Sequence, residues 1–349
     1  MPAARAKNSP LYMRNFSTIK DNPDISILIA TYNRAEILHE TLASMVRLDR
    51  PGIHVEFVII DNNSSDHTRR VIESYQSNLP IRYVFQPRPG KNRALNKALD
   101  EVNLGKLVVF TDDDVLPRPD WLTVIHAVSD RHPECYLFGS RVYQIMPEHP
   151  IPCWEQIKKI IPAAEHNYAP TEQFYQTGRC PLGANFWVRR HLFESGRRYD
   201  ETLGPHPTNR ISGSESSFLL QLQQDGYPIL YTPRAIVGHR PHPALLTPAG
   251  FRRRAWEWGR GQAHAQPLPA YPLLKQHPRL WRLLHSGRWL KGCLYYAGVL
   301  LQPRRDKRLI GSIRAHAYLG SNHEQRRLAD RIRAGQPDHA QNLSLLNHQ

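Results

Sequence analysis

Cysteine is scarce in this chain. Four cysteines occur among 349 residues, at Cys135, Cys153, Cys180 and Cys293, and no two of them form a C-x-x-C pair. Zinc ribbons and disulfide frameworks need several cysteines at short, regular spacings. Both are therefore excluded as the basis of the fold, and we expect the protein to occupy a reducing compartment.

Long apolar runs are also absent. No stretch of the sequence reaches the ~18–20 apolar residues that a membrane-spanning helix requires. The polar residues before Ile25 include no apolar segment of the kind found in secretory signals. We expect a cytoplasmic protein, with any membrane contact peripheral and at the cytoplasmic face.

Acidic residues are few in the last third of the chain. Phe251 to Gly335 contain 18 Lys or Arg but only 4 Asp or Glu, whereas the net charge of the whole chain is +15. Cations interspersed with Trp and Tyr are typical of helices at a membrane surface. We predict that residues 251–335 contact an anionic membrane; the alternative is a solvated helical subdomain. No nucleic-acid partner is expected, because zinc-finger spacing and RRM aromatic motifs are missing.

The first half of the chain, by contrast, alternates short apolar runs with helical patterns. The apolar runs predict buried strands at residues 25–30, 55–60, 81–85 and 106–110. Strands that alternate with helices predict a parallel sheet with helices on both faces. Ligands of such sheets bind outside the carboxyl ends of the strands, and polar residues follow three of these four strands.

Composition also predicts the domain division. We predict a polar N-terminal extension over residues 1–23, an α/β domain over 24–247 and a basic, aromatic-containing helical segment over 248–349. The boundary falls near residue 247 because the pattern changes there from alternating strands and helices to basic helices.

Four short motifs follow the strands in a characteristic order. They are ILIATYNR at 27–34, DNNSSD at 61–66, GKNRALN at 90–96 and FTDDD at 110–114. Together they resemble the signatures of family 2 glycosyltransferases, and the resemblance covers roughly residues 25–239. It implies a GT-A type, Rossmann-like fold and an enzyme that transfers a sugar from a nucleotide-sugar donor to a hydroxyl acceptor with inversion.

The acidic run Asp112-Asp113-Asp114 is similar to the D-x-D motif of that family. A divalent cation neutralises the diphosphate of a nucleotide sugar, and Mg²⁺ or Mn²⁺ prefers carboxylate oxygens. We predict that Asp112 and Asp114 bind Mg²⁺ or Mn²⁺ and that Asp113 belongs to the donor site. Three adjacent carboxylates repel one another without a cation, which favours metal binding; the alternative is a cluster of helix N-caps.

His239 follows the last predicted strand of the α/β domain. By resemblance it corresponds to a family histidine that reaches the metal or the diphosphate, and neutral imidazole suits Mn²⁺ better than Mg²⁺. The alternative is a structural role, since the chain contains 18 histidines.

The resemblance also implies a nucleotide pocket at the first strand ends. Its predicted residues are Ala30, Thr31, Tyr32, Asn33, Asp61 and Asn62, with Lys91 and Arg93 near the diphosphate. Asp61 is expected to accept hydrogen bonds from the base or ribose. The alternatives are an Asx-type turn at Asp61 and a solvated basic loop around Lys91.

Glu215 is the predicted catalytic base. It lies in Gly213-Ser214-Glu215-Ser216-Ser217-Phe218, which is similar to a family motif written roughly Gly-Glu-Asp-x-x-Phe. A carboxylate there would take the proton of the acceptor hydroxyl. The sequence departs from the motif at Ser214, where the family has an acid; the alternative role for Glu215 is a favourable charge at a helix N-terminus.

Two other functions compete with sugar transfer. A sugar-phosphate nucleotidyltransferase would carry a glycine-rich loop after the first strand, where this chain has ATYNR, and no P-loop or G-x-G-x-x-G motif occurs. A non-catalytic membrane- or nucleic-acid-binding protein on the same fold is the second competitor. We expect a UDP-linked donor and a glycan, lipid-linked or other hydroxyl acceptor, as in the synthesis of cell-surface polysaccharide or glycolipid.

Overall fold

The computed structural model describes residues 23–149, 151–161, 165–265, 289–290 and 292–334. The predicted extension 1–23 lies outside them except for its last residue, as do residues 266–288 of the basic segment. The chain divides into two compact units. The first consists of residues 1–143, 166–199 and 226–239, and the second of 144–165, 200–225 and 240–349.

The first unit is built on a nine-stranded sheet. Its strands are β1 (Ile25–Thr31), β2 (Val55–Asp61), β3 (Ile81–Phe85), β4 (Leu107–Thr111), β5 (Val115–Pro117), β6 (Leu137–Gln144), β7 (Gln173–Phe174), β8 (Phe186–Arg189) and β9 (Ile229–His239). Its helices are α1 (Ala35–Val46), α2 (Thr68–Ser74), α3 (Lys91–Glu101) and α4 (Trp121–Arg131). The strand order is β3-β2-β1-β4-β8-β6-β9-β5, and β7 pairs with β9 outside this path.

The sheet changes character in its middle. Strands β3, β2, β1 and β4 are parallel neighbours. Beyond β4, the pairs β4–β8, β6–β8 and β5–β9 are antiparallel. The parallel part is the part that the alternation of strands and helices predicted, so the α/β fold is confirmed, and the antiparallel extension is added by later segments of the chain.

Both faces of the parallel part are buried. Ile27 and Ile29 belong to one apolar cluster with Leu38 and Leu42 of α1, while Leu28 between them is also fully buried. Successive side chains of a strand point to opposite faces, and α3 packs against β1 and β2. Burial of each such side chain contributes roughly 1.5–3 kcal/mol, so these mainly apolar strands are stable only with helices on both sides, as predicted.

The second unit is helical. Its elements are α5 (Trp154–Ile157), α7 (Ser214–Gln224), a 3-10 helix (Pro243–Leu246), α8 (Pro248–Ala265) and α9 (Arg305–Arg333), while the short α6 (His191–Glu194) belongs to the first unit. Phe251 and Ala255 of α8 form an apolar cluster with Ile313 and Ala317 of α9 and with Ile157. The two long helices therefore share a core.

Glycines bring these two helices close together. A Cβ on Gly259 of α8 would lie 1.9 Å from the carbonyl oxygen of Ala317, and one on Gly320 of α9 would lie 2.2 Å from the carbonyl oxygen of Trp256. Neither distance is tolerated by a real side chain. The backbones approach closely at this crossing because both positions lack a side chain.

The grouping by contacts differs from the predicted division at residue 247. Residues 200–225 belong with the basic helices and not with the sheet, because a long excursion from the sheet packs on α8; the domain boundaries themselves stay a prediction. Within the residues that the structure describes, no helix is long and apolar enough to cross a membrane.

Candidate active site

The register of the parallel strands brings the predicted motifs to one edge of the sheet. Thr31, the last residue of β1, lies opposite Asp61, the last residue of β2. On the other side of β1, Ile29 lies opposite Thr111, so the acidic run begins directly after the end of β4. Three loops that are far apart in sequence therefore start side by side.

The first two loops are held together by Asn33. Its φ of 50° lies in the left-handed region, which asparagine adopts more readily than most residues. The side-chain oxygen of Asn33 accepts a hydrogen bond from the backbone amide of Ser65 at 2.7 Å. The backbone amide of Asn33 donates to the hydroxyl of Ser64 at 3.0 Å. Asn33 thus has a structural role in this site.

Two carboxylates of the acidic run are held by a single arginine. The guanidinium of Arg34 donates to Asp113 at 2.5 Å and to Asp114 at 2.6 Å. The hydroxyl of Thr31 donates to the second oxygen of Asp113 at 2.7 Å. Burial raises the pKa of Asp113 to about 6 although Arg34 opposes the shift. Burial acts in the same direction on Asp114, but His239 and Arg34 outweigh it and hold its pKa well below the usual value.

The first carboxylate of the run has a different cation. The ammonium of Lys91, at the start of α3, lies 2.6 Å from Asp112. The mutual repulsion expected of three adjacent acids is therefore partly relieved by Arg34 and Lys91. Because these two cations lie against the carboxylates, the repulsion supports metal binding less strongly than the sequence suggested.

His239 reaches the acidic run through the pairing of two distant strands. As the last residue of β9 it lies opposite Val115, the residue that follows Asp114. Its Nε2 is 3.2 Å from Oδ1 of Asp114. Asp112, Asp114 and His239 each offer a ligand atom, and these atoms all lie within 4.8 Å of one another.

This set fits a divalent cation. Carboxylate oxygens with one imidazole suit Mn²⁺ and, less well, Mg²⁺. Oδ1 of Asp114 is buried and accepts no hydrogen bond of good geometry within the described residues, its neighbour being the imidazole. A lone pair on this buried oxygen is therefore available to a cation. The metal roles of the three residues stay predictions.

Asp61 and Asn62 are both engaged by the loops around them. Asp61 accepts the amide of Ser64 at 2.8 Å and the hydroxyl of Tyr83 at 3.0 Å. Burial, and next to it the charge of Asp61, raise the pKa of Tyr83. The side-chain oxygen of Asn62 accepts the amide of Gly90, whose φ is 143°. The turn that competed with nucleotide binding at Asp61 is thus present, and the binding role stays a prediction.

The remaining donor-site candidates lie around the same edge. Ala30 and Tyr32 are half-buried on either side of Thr31. Arg93, in the first turn of α3, donates to the carbonyl of Pro89 at 3.3 Å. All of these residues, with Lys91, belong to the first unit.

Glu215 belongs to the second unit. It lies in the first turn of α7, whose N-cap is Gly213 with a φ of 103°. The hydroxyl of Ser214 donates to its carboxylate at 2.7 Å. A hydrogen bond of this kind stabilises the ionised carboxylate, so the serine that stands in place of the family's acid contacts the predicted base directly.

Two residues of the site were missed from sequence. The first motif contains Arg34 but does not indicate its role, although Arg34 lies three residues after the end of β1, within reach of the neighbouring loops. Tyr83 lies in the middle of β3, and its contact with Asp61 follows from the β2–β3 register, which pairs Asp61 with Phe85. A hydroxyl two residues back on the neighbouring strand would have been a usable signal.

The α/β sheet, with acidic residues at the carboxyl ends of its strands, has the GT-A type of fold found in glycosyltransferases. The structure resembles the mannosyltransferase PcManGT of Pyrobaculum calidifontis, solved with GDP-Man and Mn²⁺, with a TM-score of 0.53, 19% identity and 87% of each chain covered. It also resembles residues 1-349 of S. aureus TarS, solved with UDP-GlcNAc, with a TM-score of 0.50, 16% identity and 90% and 92% coverage.

Residues 26–196 match the family model described as Glycosyl transferase family 2. The match covers 171 of the 349 residues, so this part of the chain is similar to glycosyl transferase family 2. Validoxylamine A glucosyltransferase of Streptomyces hygroscopicus subsp. jinggangensis is 32% identical over 145 residues, which are 41% of this chain and 34% of that protein. The chain thus spans about a third of the length of this curated relative.

Proposed function

We propose that this protein transfers a sugar from a nucleoside-diphosphate sugar to a hydroxyl acceptor, with a divalent cation and with inversion at the anomeric carbon. The observation that carries the proposal is the convergence of Asp112, Asp114 and His239, with ligand atoms within 4.8 Å of one another. They meet beside Thr31 and Asp61, at the edge where ligands of parallel sheets bind. Similar folds solved with GDP-Man and Mn²⁺ or with UDP-GlcNAc support it.

Asp112, Asp114 and His239 would hold the cation, which when bound neutralises charge on the diphosphate and acts as a Lewis acid. Arg34 keeps Asp113 and Asp114 in place, and its pKa is raised by these carboxylates against the effect of burial, so it stays protonated. Thr31 fixes the remaining oxygen of Asp113. The chain thus presents ligands that are already oriented, which lowers the cost of binding.

The nucleoside is proposed to bind over Thr31, Tyr32 and Asp61. Asp61 is held by Ser64 and Tyr83 in an orientation that leaves further lone pairs for ribose or base donors, because an ionised carboxylate accepts up to about four hydrogen bonds. Lys91, at the start of α3, supplies positive charge near the diphosphate while it holds Asp112. We propose UDP as the nucleotide.

Glu215 enters the proposal as the general base through its sequence motif. Its carboxylate takes the proton of the acceptor hydroxyl, and the acceptor oxygen bonds to the anomeric carbon. The bond between that carbon and the phosphate oxygen breaks in the same step, and its electron pair leaves with the nucleoside diphosphate. A single displacement of this kind inverts the anomeric carbon, and a positioned base accelerates it by about 10²–10⁴-fold.

A thermal-shift screen tests the donor site. The protein is melted with UDP, GDP, CDP, dTDP and ATP, each with and without Mn²⁺ or Mg²⁺. A ligand at 100 times its Kd stabilises by about 2.7 kcal/mol, so we expect a metal-dependent rise in Tm with UDP. The Asp114→Ala variant, which lacks one proposed ligand, should lose the metal dependence. No shift with any nucleotide would favour the non-catalytic alternative. A shift with GDP and not with UDP would show that the nucleotide of the donor is GDP.

We also propose peripheral attachment to an anionic membrane, at the cytoplasmic face. Among the described residues, most of the large exposed apolar side chains lie between 289 and 301, namely Trp289, Leu290, Leu294, Tyr295, Tyr296, Leu300 and Leu301. Directly after them, Arg304, Arg305, Lys307 and Arg308 are exposed. Apolar side chains beside cations fit a lipid interface, where each cation contributes about 1 kcal/mol with anionic lipid. A lipid-linked acceptor would suit such a location.

Flotation with liposomes tests the attachment. Vesicles with and without phosphatidylserine are mixed with the wild-type protein, and we expect binding only to the anionic vesicles, reduced by salt. The double variant Leu300→Ser, Leu301→Ser should stay at the bottom of the gradient. Phe174→Ser is the matched control, because Phe174 is equally apolar and 50% exposed but lies in the first unit. Equal flotation of all three proteins would overturn the proposal.

A further inference from the structure

The segment 209–213 leads directly into the helix that carries Glu215. It ends at Gly213, the N-cap of α7, and Glu215 stands two residues later. The position of this segment therefore determines where the first turn of α7 begins. The segment contacts α8, which belongs to the same unit.

Arg260 of α8 binds this segment at two points. Its Nη2 donates to the side-chain oxygen of Asn209 at 2.7 Å, and its Nη1 donates to the carbonyl of Arg210 at 3.3 Å. One turn earlier on α8, the carbonyl of Glu257 accepts the amide of Ser212 at 3.4 Å. These bonds link the segment to one face of α8.

Arg260 is itself held from the opposite side. Its Nε lies 2.6 Å from Glu324 of α9, and the side chains of the pair are 8% and 0% exposed. His264 lies 3.3 Å from the other oxygen of the same carboxylate. A buried arginine with a fixed carboxylate partner has little freedom, since its planar donors suit one geometry. The position of Arg260 is thus determined by the core of the second unit.

Gly261 makes the approach of the segment possible. A Cβ at this position would lie 2.2 Å from the carbonyl oxygen of Ser212. The segment therefore touches the backbone of α8, and a change of a single methyl group would move it. At Gly259, two residues earlier, a Cβ would instead meet Ala317 of α9.

We propose that α8 is a positioning helix for the catalytic base: Arg260 and Gly261 set the place of the 209–213 segment, and through it the place of the Glu215 carboxylate. The proposal rests on the proposed function, in which Glu215 is the base. The start of the basic region would then belong to the catalytic apparatus, and Arg260 would act without contact with the substrate.

Three glycine variants test the proposal on the full-length protein. Gly261→Ala should lower kcat by about tenfold to a hundredfold, because small misplacements of a reacting group are costly, with the donor KM and the UDP thermal shift unchanged. Gly311→Ala, on α9, should lower Tm without this loss of kcat, because its added Cβ would meet only Val299, at 2.4 Å. Gly298→Ala is the neutral control, since nothing lies within 4 Å of its added Cβ. Equal kcat for all three would overturn the proposal.

A double variant separates this proposal from the proposed function. If Gly261→Ala acts through Glu215, it should cost no further activity in a Glu215→Gln background, because coupled positions are not additive. The same loss in both backgrounds would show that α8 stabilises the fold but does not position Glu215. Full activity of Glu215→Gln alone would instead refute the base itself. If Gly261→Ala fails to fold, variants of Arg260 provide the same test. Arg260→Gln should lower kcat, and Arg260→Lys should recover part of the loss.

Discussion

Two buried clusters of charge in this protein use the same residue types with opposite balances. At the strand ends of the first unit, the three carboxylates of Asp112, Asp113 and Asp114 lie against the permanent cations of Arg34 and Lys91 and the imidazole of His239. In the second unit, the single carboxylate of Glu324 meets Arg260, Arg327 and His264, and positive charge is in excess.

The difference separates a site from a structural network. Three adjacent carboxylates repel one another and are costly to bury unless cations compensate them, so the first cluster has a physical reason to bind a further cation. The second cluster is already neutralised by groups of the chain itself, and burial of Glu324 is offset by Arg260 and His264, which bring its pKa to about 2. Its function is to fix helices in place.

The largest expected effect concerns the carboxylate outside both clusters. Glu215→Gln should lower kcat by about 10²–10⁴-fold, because the acceptor hydroxyl loses its base. Turnover of the nucleotide sugar is measured with the donor thermal shift, which should stay at the wild-type value. Full kcat in this variant would show that Glu215 is not the catalytic base.

Asp114→Ala should follow, with a loss of about a thousandfold in kcat/KM, because a bound metal contributes several kcal/mol to the developing charge of the leaving group. Titration with Mn²⁺ should show weaker metal dependence than in the wild type. Asp306→Asn is the control, since this exposed acid lies in the second unit. Unchanged metal dependence of Asp114→Ala would remove the distinction between the two clusters.

Glu324→Gln should change stability and not donor binding. Removal of one partner from a buried ion pair costs about 3–5 kcal/mol, measured by urea unfolding. The pKa of Glu324 is lowered in the folded protein from 4.5 to about 2. Its stabilising contribution is thus complete above pH 4.5 and is lost as the pH falls from 4.5 towards 2. The wild type should lose this part of its stability on acidification and the variant should not; identical pH dependence of the two proteins would contradict the role.

The smallest effect is expected for Tyr83→Phe. This change removes one hydrogen bond to Asp61, and a hydrogen bond to a charged group contributes about 1.5–3 kcal/mol at most. Donor KM should rise by about tenfold with kcat unchanged, if Asp61 binds the nucleoside. Tyr75→Phe is the matched control, because the hydroxyl of Tyr75 contacts His39 and not Asp61. Equal donor KM in both variants would mean that Asp61 only stabilises the turn after β2 and does not bind the nucleoside.

The sequence predicted the parallel half of the fold because its signals are local. Fully apolar runs with helical patterns between them lead to β1, β2, β3 and β4. The antiparallel half has weaker local signals, although its strand β9 extends over the eleven residues Ile229–His239. Its length comes from pairing with β5 and β7, which contributes hydrogen bonds that no local pattern records.

The residues around the acidic run were predicted as separate motifs, and their mutual contacts came only with the fold. Asp112, Asp114 and His239 were named from sequence, but the salt bridges of Arg34 and Lys91 were not. Ion pairs between loops depend on register and side-chain reach, so they are invisible in a linear motif. The structural role of Asn33 between two loops was missed for the same reason.

By itself, the sequence determined the order of strands and helices in the first half, the acidic strand ends and the uneven charge of the chain, because apolar periodicity and composition are properties of short segments. Only the tertiary structure decided that residues 200–225 pack with α8 and that Arg260 is held between Asn209 and Glu324. It also decided that Arg34, Lys91 and His239 lie against the three carboxylates of the strand ends. Those outcomes depend on which distant groups become neighbours, and burial makes their charges interact strongly.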